Sequence, residues 1–391
     1  MLSRRLFLLV APFVLIVSAL PARQDADRFS TIKPAMQKFV DTGALAGSVT
    51  LVGNKDRILH HEAVGSRDLA DPSAMHEDTL FRIASMTKPI TAIGIMILVD
   101  EGKLNPDDDV AKHLPDLADA TLAGNKKPAR PVKIRDLLTH TGGIPNYPKE
   151  FAEIYSKRDR TLAETTKSLS GVPLLFEPGS KWQYCNSGID TLGRVIEVVS
   201  GESFEAFLKK RVFDPLSMKD TVFYPTPEQM KRLAITYKKA DGKLVPDMKL
   251  IGLPEKPRHP IPAGGLVSCG ADLAKLYRMM LNQGELNGKR ILSAKAVAEM
   301  SRTQTGDLET GFVPGMSFGY GWAVVKEPKG VTAMLSPGTY GHGGAFGTQG
   351  WIDPKRGMFV ILLIQRSDLP NGDASPMRRT LQELAVKAIE K

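Results

Sequence analysis

The spacing of apolar residues changes along the chain, and each change marks a new element. Residues 32–40 are amphipathic and predict a helix. Residues 47–53 and 58–64 are short β-branched runs on either side of Asn54-Lys55-Asp56, the pattern of two strands joined by a turn. Beyond Pro89 the chain turns apolar on every side, through Ile93, Ile95, Met96, Ile97, Leu98 and Val99 as far as Gly102, which predicts a buried helix. From residue 105 to 224 strand-like runs vanish. Helical patterns appear at 132–138, 162–169, 188–199 and 204–212, divided by Pro and Gly. Residues 225–262 are rich in Pro and Lys, with a hairpin turn at Asp241-Gly242. A helix follows from Asp272 to Gln283, with Gly284 as its stop. Residues 320–326, 331–335, 348–352 and 358–364 read as strands, and 376–389 as a closing helix. Strands near both ends predict one sheet assembled from both termini. That divides the chain into a discontinuous α/β sheet domain, 27–104 with 225–391, and a helical domain, 105–224.

The start of the chain reads as a leader rather than as part of the fold. Arg4-Arg5 precedes an apolar run over residues 6–20 and then Pro21-Ala22, the arrangement of a secretory signal. The run is short of the ~20 residues that a membrane span needs. Ser3-Arg4-Arg5-Leu6-Phe7-Leu8 also fits twin-arginine export. A mature protein without residues 1–22, periplasmic or secreted and without stable membrane insertion, is the expectation. About 370 residues would remain, enough for two domains. The net charge of +9 suits anionic surroundings or carboxylate substrates. No Lys/Arg block is interleaved with aromatics, so nucleic acid is excluded as a partner. Cys185 and Cys269 are too few for a disulfide framework and read as free buried thiols. Cys/His ligand spacings are absent, and neither a metal nor a cofactor is called for.

The candidate chemistry lies in three stretches. In the first, Ser85 and Lys88 share a face at i, i+3. Pro89 is tolerable only near a helix start, which puts Ser85 at the N-terminus, where free N–H groups favour a developing anion. A lysine against a buried helix loses proton affinity by desolvation and can act as a base. A serine beside it is an activated nucleophile. In the second, Tyr184-x-Asn186 follows the Pro178-Gly179 turn and precedes a helix. A phenol there could pass a proton between nucleophile and leaving group. An asparagine amide could hold a substrate carbonyl and the lysine together. Alone, Tyr184 reads equally well as a packing residue. The third runs from Tyr340 to Gly347, with four glycines in eight residues that let a ligand approach the backbone. An edge strand there would offer the Ala345 N–H to an oxyanion beside the N–H of Ser85. The alternative is a glycine-rich bend with a solvent-facing His342. His140, between Thr139 and Thr141, reads as a histidine that ties down a loop, and Cys185 as a small packing residue.

Ser85-x-x-Lys88, Tyr184-x-Asn186 and His342-Gly343-Gly344, in this order and 99 and 158 residues apart, resemble the serine β-lactamase-like superfamily. Class C β-lactamases, family VIII esterases and D-stereospecific aminopeptidases and carboxypeptidases are the nearest groups. The resemblance spans roughly residues 27–390. It implies an antiparallel sheet flanked by helices plus a mostly helical domain, with the site between them. It also implies an acyl-enzyme on Ser85, with Lys88 and Tyr184 managing its proton, the N–H groups of Ser85 and Ala345 as oxyanion donors, and Tyr184 as the base when water releases the acyl group. Asn186, His342, Gly343 and Gly344 would bind substrate. Where β-lactamases of this class carry Lys and Thr, this chain has His342 and Gly343. A histidine is less reliably charged near neutral pH. An esterase or a D-amino-acid peptide or amide hydrolase is therefore expected ahead of a β-lactamase or penicillin-binding carboxypeptidase, and both ahead of a non-catalytic binding or assembly protein.

Overall fold

The computed structural model describes residues 28–71, 73–247 and 251–390; the leader read at 1–22 lies outside the described residues. Eight strands form the main sheet: β1 (Gly47–Asn54), β2 (Ile58–Asp68), β3 (Ser73–Ala74), β4 (Met316–Phe318), β5 (Ala323–Val325), β6 (Tyr340–Gly343), β7 (Gln349–Asp353) and β8 (Met358–Leu363). Their order is β4-β5-β6-β7-β8-β1-β2-β3, and each neighbouring pair is antiparallel. β8 pairs with β1, Val49 opposite Leu363, so the sheet is closed across the two ends of the chain as the hydrophobic pattern predicts.

Because β8 is covered on both faces, it is an unbroken apolar run rather than an alternating one. Phe359, Ile361 and Leu363 face one hydrophobic cluster, and Val360 and Leu362 the other. Each such side chain contributes roughly 1.5–3 kcal/mol by leaving water. Helices α1 (Ile32–Asp41) and α6 (Pro376–Ile389) cover the second face, with Ile32, Met36, Leu381 and Ala385 in that cluster. α5 (Gly270–Leu281) and α2 (Thr87–Asp100) belong to the first. α2 is buried at every position from Thr87 to Leu98. It is the link between the sheet and the 105–224 region, where the described residues form short helices and turns and no strand. From that region come α3 (Ile134–Leu138) and α4 (Asn186–Ser200), the latter packed on α2. A Cβ on Gly94 would lie 2.8 Å from Ile196 Cδ1, so glycine permits this close approach of α2 and α4.

Two strand assignments change. Residues 331–335, expected as a strand, start from a 3-10 turn at Gly330–Thr332. Thr332 Oγ1 accepts from the Lys329 N–H at 3.1 Å, and Val331 and Leu335, four apart, pack into the α1–α6 cluster. The spacing there was that of a turn of helix. The strand β4 lies in a glycine-punctuated stretch that carries no alternating pattern.

Candidate active site

Ser85 is placed by a turn locked from both sides. Phe81 pairs with Ser268 and Arg82 with Val267. The Ile83 N–H donates to Leu266 O at 3.0 Å, and Thr348 Oγ1 donates to Ile83 O at 3.1 Å. Ala84 then takes φ +46°, a left-handed conformation uncommon outside glycine. Such strain survives where the surroundings over-determine the backbone. The Met86 N–H closes the turn on Ile83 O and α2 begins, leaving Ser85 half-buried at its N-terminus.

One turn on, Lys88 is fully buried. Its Nζ donates to Ser85 Oγ at 3.1 Å and to Ala263 O at 2.6 Å, and stands 4.7 Å from the centre of the Tyr184 ring. Desolvation pulls its pKa down to about 7, against the opposing pull of Asp190. A large fraction of this amine is therefore neutral near pH 7 and able to take a proton. Tyr184 lies within hydrogen-bonding reach of Ser85, and burial drives its pKa upward, so it is a neutral phenol.

Tyr184 reaches this place because the strand-like stretch before α4 is bound to the loop after α3. The Gln183 N–H donates to His140 O at 2.9 Å, and the Cys185 N–H to His140 Nδ1 at 3.2 Å. His140 has φ +61° and lies 4.6 Å ring to ring from Tyr184. Desolvation, with Lys88 nearby, holds it neutral well below its ordinary pKa. It is the loop tie that the sequence suggested, and it also braces the phenol. Asn186 opens α4 half-buried, with Oδ1 unpartnered among the described residues. It does not hold the lysine as expected, because Ala263 O takes that place.

The third stretch departs from expectation in two ways. β6 is an interior strand between β5 and β7, not an edge, and Ala345 sits exposed in the turn that follows it. That turn abuts the Ser85 turn: a Cβ on Gly344 would lie 2.4 Å from Ile83 O, and Phe346 packs with Ala84. The Ser85 and Ala345 N–H groups have no acceptor among the described residues. His342 is buried rather than solvent-facing. Its Nδ1 donates to Gly343 O at 2.6 Å, its Nε2 has no partner, and desolvation lowers its pKa to about 4. It is neutral at pH 7. The wall at Gly343 is closed, since a Cβ there would lie 2.1 Å from Asp373 Oδ1 and 2.5 Å from Gln349 Nε2. Gln349 Nε2 donates to that carboxylate at 3.0 Å, and Arg378 Nη1 is 3.8 Å from it.

Sequence reasoning missed four contributors. Ala263 acts through its backbone and carries no side-chain signal. Asp190, on α4, is fully buried, and one acid among Ile189, Thr191 and Leu192 was the only hint. Asp373 comes from a loop far along the chain. Phe312 packs edge-on at 5.0 Å from Tyr184 and 6.0 Å from Trp182, and is 47% exposed, forming an apolar flank.

A family profile described as Beta-lactamase matches residues 32–384. Esterase EstB from Burkholderia gladioli is 33% identical over 349 residues, covering 82% of this chain and 86% of that protein. Penicillin-binding protein 4 from Amycolatopsis lactamdurans is 33% identical over 296 residues, 75% of this chain and 73% of its own. The solved structure of EstCE1, described as a hydrolase with promiscuous acyltransferase activity, superposes with a TM-score of 0.78 at 26% identity, covering 95% of this chain and 100% of that one. The match over most of the chain, together with the antiparallel sheet flanked by helices, makes this protein a member of the Beta-lactamase family of hydrolases, with esterases and penicillin-binding proteins among its relatives.

Proposed function

We propose that this protein is an exported serine hydrolase that forms an acyl-enzyme on Ser85 and acts as an esterase on compact, uncharged acyl groups. The observation that carries this reading is the buried Lys88, its Nζ 3.1 Å from Ser85 Oγ and its pKa near 7. Ser85 Oγ attacks the ester carbonyl carbon as its proton passes to Lys88. The tetrahedral oxyanion is held by the Ser85 and Ala345 N–H groups. Tyr184, a phenol beside both Ser85 and Lys88, relays the proton to the departing alkoxide, and the C–O bond breaks. Water then repeats the sequence on the acyl-enzyme, with Lys88 as base, and releases the acid. Tyr184 is less suited to that last role than its place in the motif implies, because burial opposes the phenolate.

Substrate class follows from the wall. Asp373 stands where a hydroxyl-bearing side chain at 343 would be, and His342 is neutral. Neither favours a substrate carboxylate, whereas the Trp182–Phe312 flank favours an apolar acyl or alcohol group. Hydrolysis of D-amino-acid peptides or amides is the alternative, favoured by the similarity to a penicillin-binding protein. Turnover of a panel of p-nitrophenyl esters, nitrocefin and D-alanyl peptides separates the two. Short-chain esters should lead; a preference for nitrocefin or for the peptides would sink the esterase reading. Export rests on residues 3–22 of the sequence. N-terminal sequencing of protein from the cell envelope should begin after about residue 22, and an intact Met1 in the cytoplasm would refute it.

A further inference from the structure

Asp190 is a carboxylate with no exposure to solvent, one helical turn beyond Asn186. Burying an anion is costly unless donors replace its water. Here the Tyr155 hydroxyl donates to Oδ2 at 2.6 Å, the Tyr147 hydroxyl to Oδ2 at 3.1 Å, and the Ala263 N–H to Oδ1 at 2.8 Å. His259, also fully buried, has Nε2 3.8 Å from Oδ2 and no hydrogen-bond partner on either ring nitrogen among the described residues. No Lys or Arg contacts the carboxylate among the described residues. The carbonyl of the same residue, in the next peptide unit, faces the site and accepts from Lys88 Nζ at 2.6 Å.

We propose that Asp190 is a positioning residue of this site, acting on Lys88 through the backbone of Ala263 and supplying the counter-charge for the ammonium that Lys88 becomes when it takes the serine proton. The inference rests on the serine-hydrolase reading of Ser85 and names what regulates its base. The two bonds lie on adjacent peptide units that share the Ala263 Cα, so anchoring the N–H on Asp190 fixes where the carbonyl meets Lys88. The segment between them is held rigidly. Thr91 Oγ1 donates to Pro262 O at 2.8 Å, the Gly264 N–H returns to Ile261 O at 2.9 Å, and α4 lies directly on Pro262 at Gly193. The other groups that face Lys88 supply no counter-charge. Ser85 and Tyr184 are neutral hydroxyls, burial keeps the Cys185 thiol protonated, and His140 and His342 are neutral. Asp373 lies toward His342 and Tyr184 and is engaged by Gln349. Asp190 is the acid whose field opposes the desolvation of Lys88.

Asp190→Asn keeps an acceptor for the Ala263 N–H and removes the charge. The test is the rate at which a fluorophosphonate probe labels Ser85, as a function of pH, in the wild type and in this variant. The wild-type rate should rise through a midpoint near 7. In Asp190→Asn the midpoint should move down by about 1 unit, because a lysine without its counter-charge loses its proton sooner. A lower plateau with an unmoved midpoint would mean that Asp190 only supports the fold, and would overturn the inference. If wild-type Ser85 is not labelled at all, the serine-hydrolase reading falls and this inference with it. A stability cycle with Lys88→Met covers the case in which Asp190→Asn folds poorly. Losing both buried charges together should leave the double variant more stable than the sum of the single losses allows. Simple additivity would count against the pairing.

Discussion

Lys88 stands on a helix buried at every position from Thr87 to Leu98, with Ser85 in the turn that leads into it, and the two side chains meet at helical spacing. His342 and Gly343, across the site, stand on an interior strand with Gly344 just past its end, and the space that Gly343 leaves is filled by Gln349 and Asp373 from elsewhere in the chain. The helical side carries its chemistry in its own residues, tuned by burial. The strand side carries its chemistry in what packs behind it. A motif can therefore be read with equal ease on both sides and yet predict only one of them. The sequence leaves Gly343 as an open wall, whereas the structure closes it with a carboxylate.

The sharpest way to break the comparison is to remove the proposed nucleophile. Ser85→Ala should remain folded and lose several orders of magnitude in kcat/KM, since each covalent step uses that oxygen. Mass spectrometry of the trapped acyl-enzyme should find the adduct on Ser85, and an adduct on any other serine would displace the helical side from the chemistry. Next in size, Lys88→Ala and Tyr184→Phe should each cost about 10²–10⁴-fold, the range of positioned proton transfer. Their double variant should lose less than the product of the two, because both serve one proton path. Strict multiplicativity in the kinetic cycle would show that they work apart.

The pH dependence tests the tuning by burial. Lys88 must be neutral to accept the serine proton, and its pKa is lowered to about 7. Activity should therefore fall as pH drops through 7, about tenfold per unit once the ammonium dominates. His342, lowered to about 4, is uncharged on both sides of that limb and should leave it unmoved when replaced by Gln. A limb that follows His342 instead of Lys88 would reverse the assignment of the two walls.

Smaller effects probe the strand side. Asp373→Asn removes a negative charge beside Gly343, so kcat/KM for nitrocefin should rise about tenfold or less relative to a neutral ester, as befits a partly exposed charge. No change in that ratio would remove Asp373 from substrate selection. Gly343→Thr restores a hydroxyl in name only. With Asp373 Oδ1 2.1 Å from the new Cβ, it should cost about 1–3 kcal/mol of stability by overpacking, read from denaturant unfolding, without raising nitrocefin turnover. A stable Gly343→Thr variant with improved β-lactam hydrolysis would show that the wall yields easily.

Much of this was legible from residues alone. The periods of apolar residues gave α1, β1, α2, β8 and α6 nearly to their ends, and β2 as far as Val64 of its run to Asp68, because each buries a face or a whole surface and the pattern must repeat it. The placement of Ser85 at a helix start followed from Pro89, and the lowered proton affinity of Lys88 from the apolar run around it. What the sequence could not determine is everything assembled from separate segments. Ala263 holds Lys88 with a carbonyl that every residue possesses, so no residue type announces it. Asp190 accepts from the N–H of the same residue across a separation of 73 residues, and the Gln349–Asp373 pair fills a void whose only trace in the sequence is the absence of a side chain at Gly343. The interior position of β6 depends on which strands lie beside it. Local pattern reports how a segment meets the core, while charge, space and hydrogen-bond partners at the site are set by which segments the fold brings into contact.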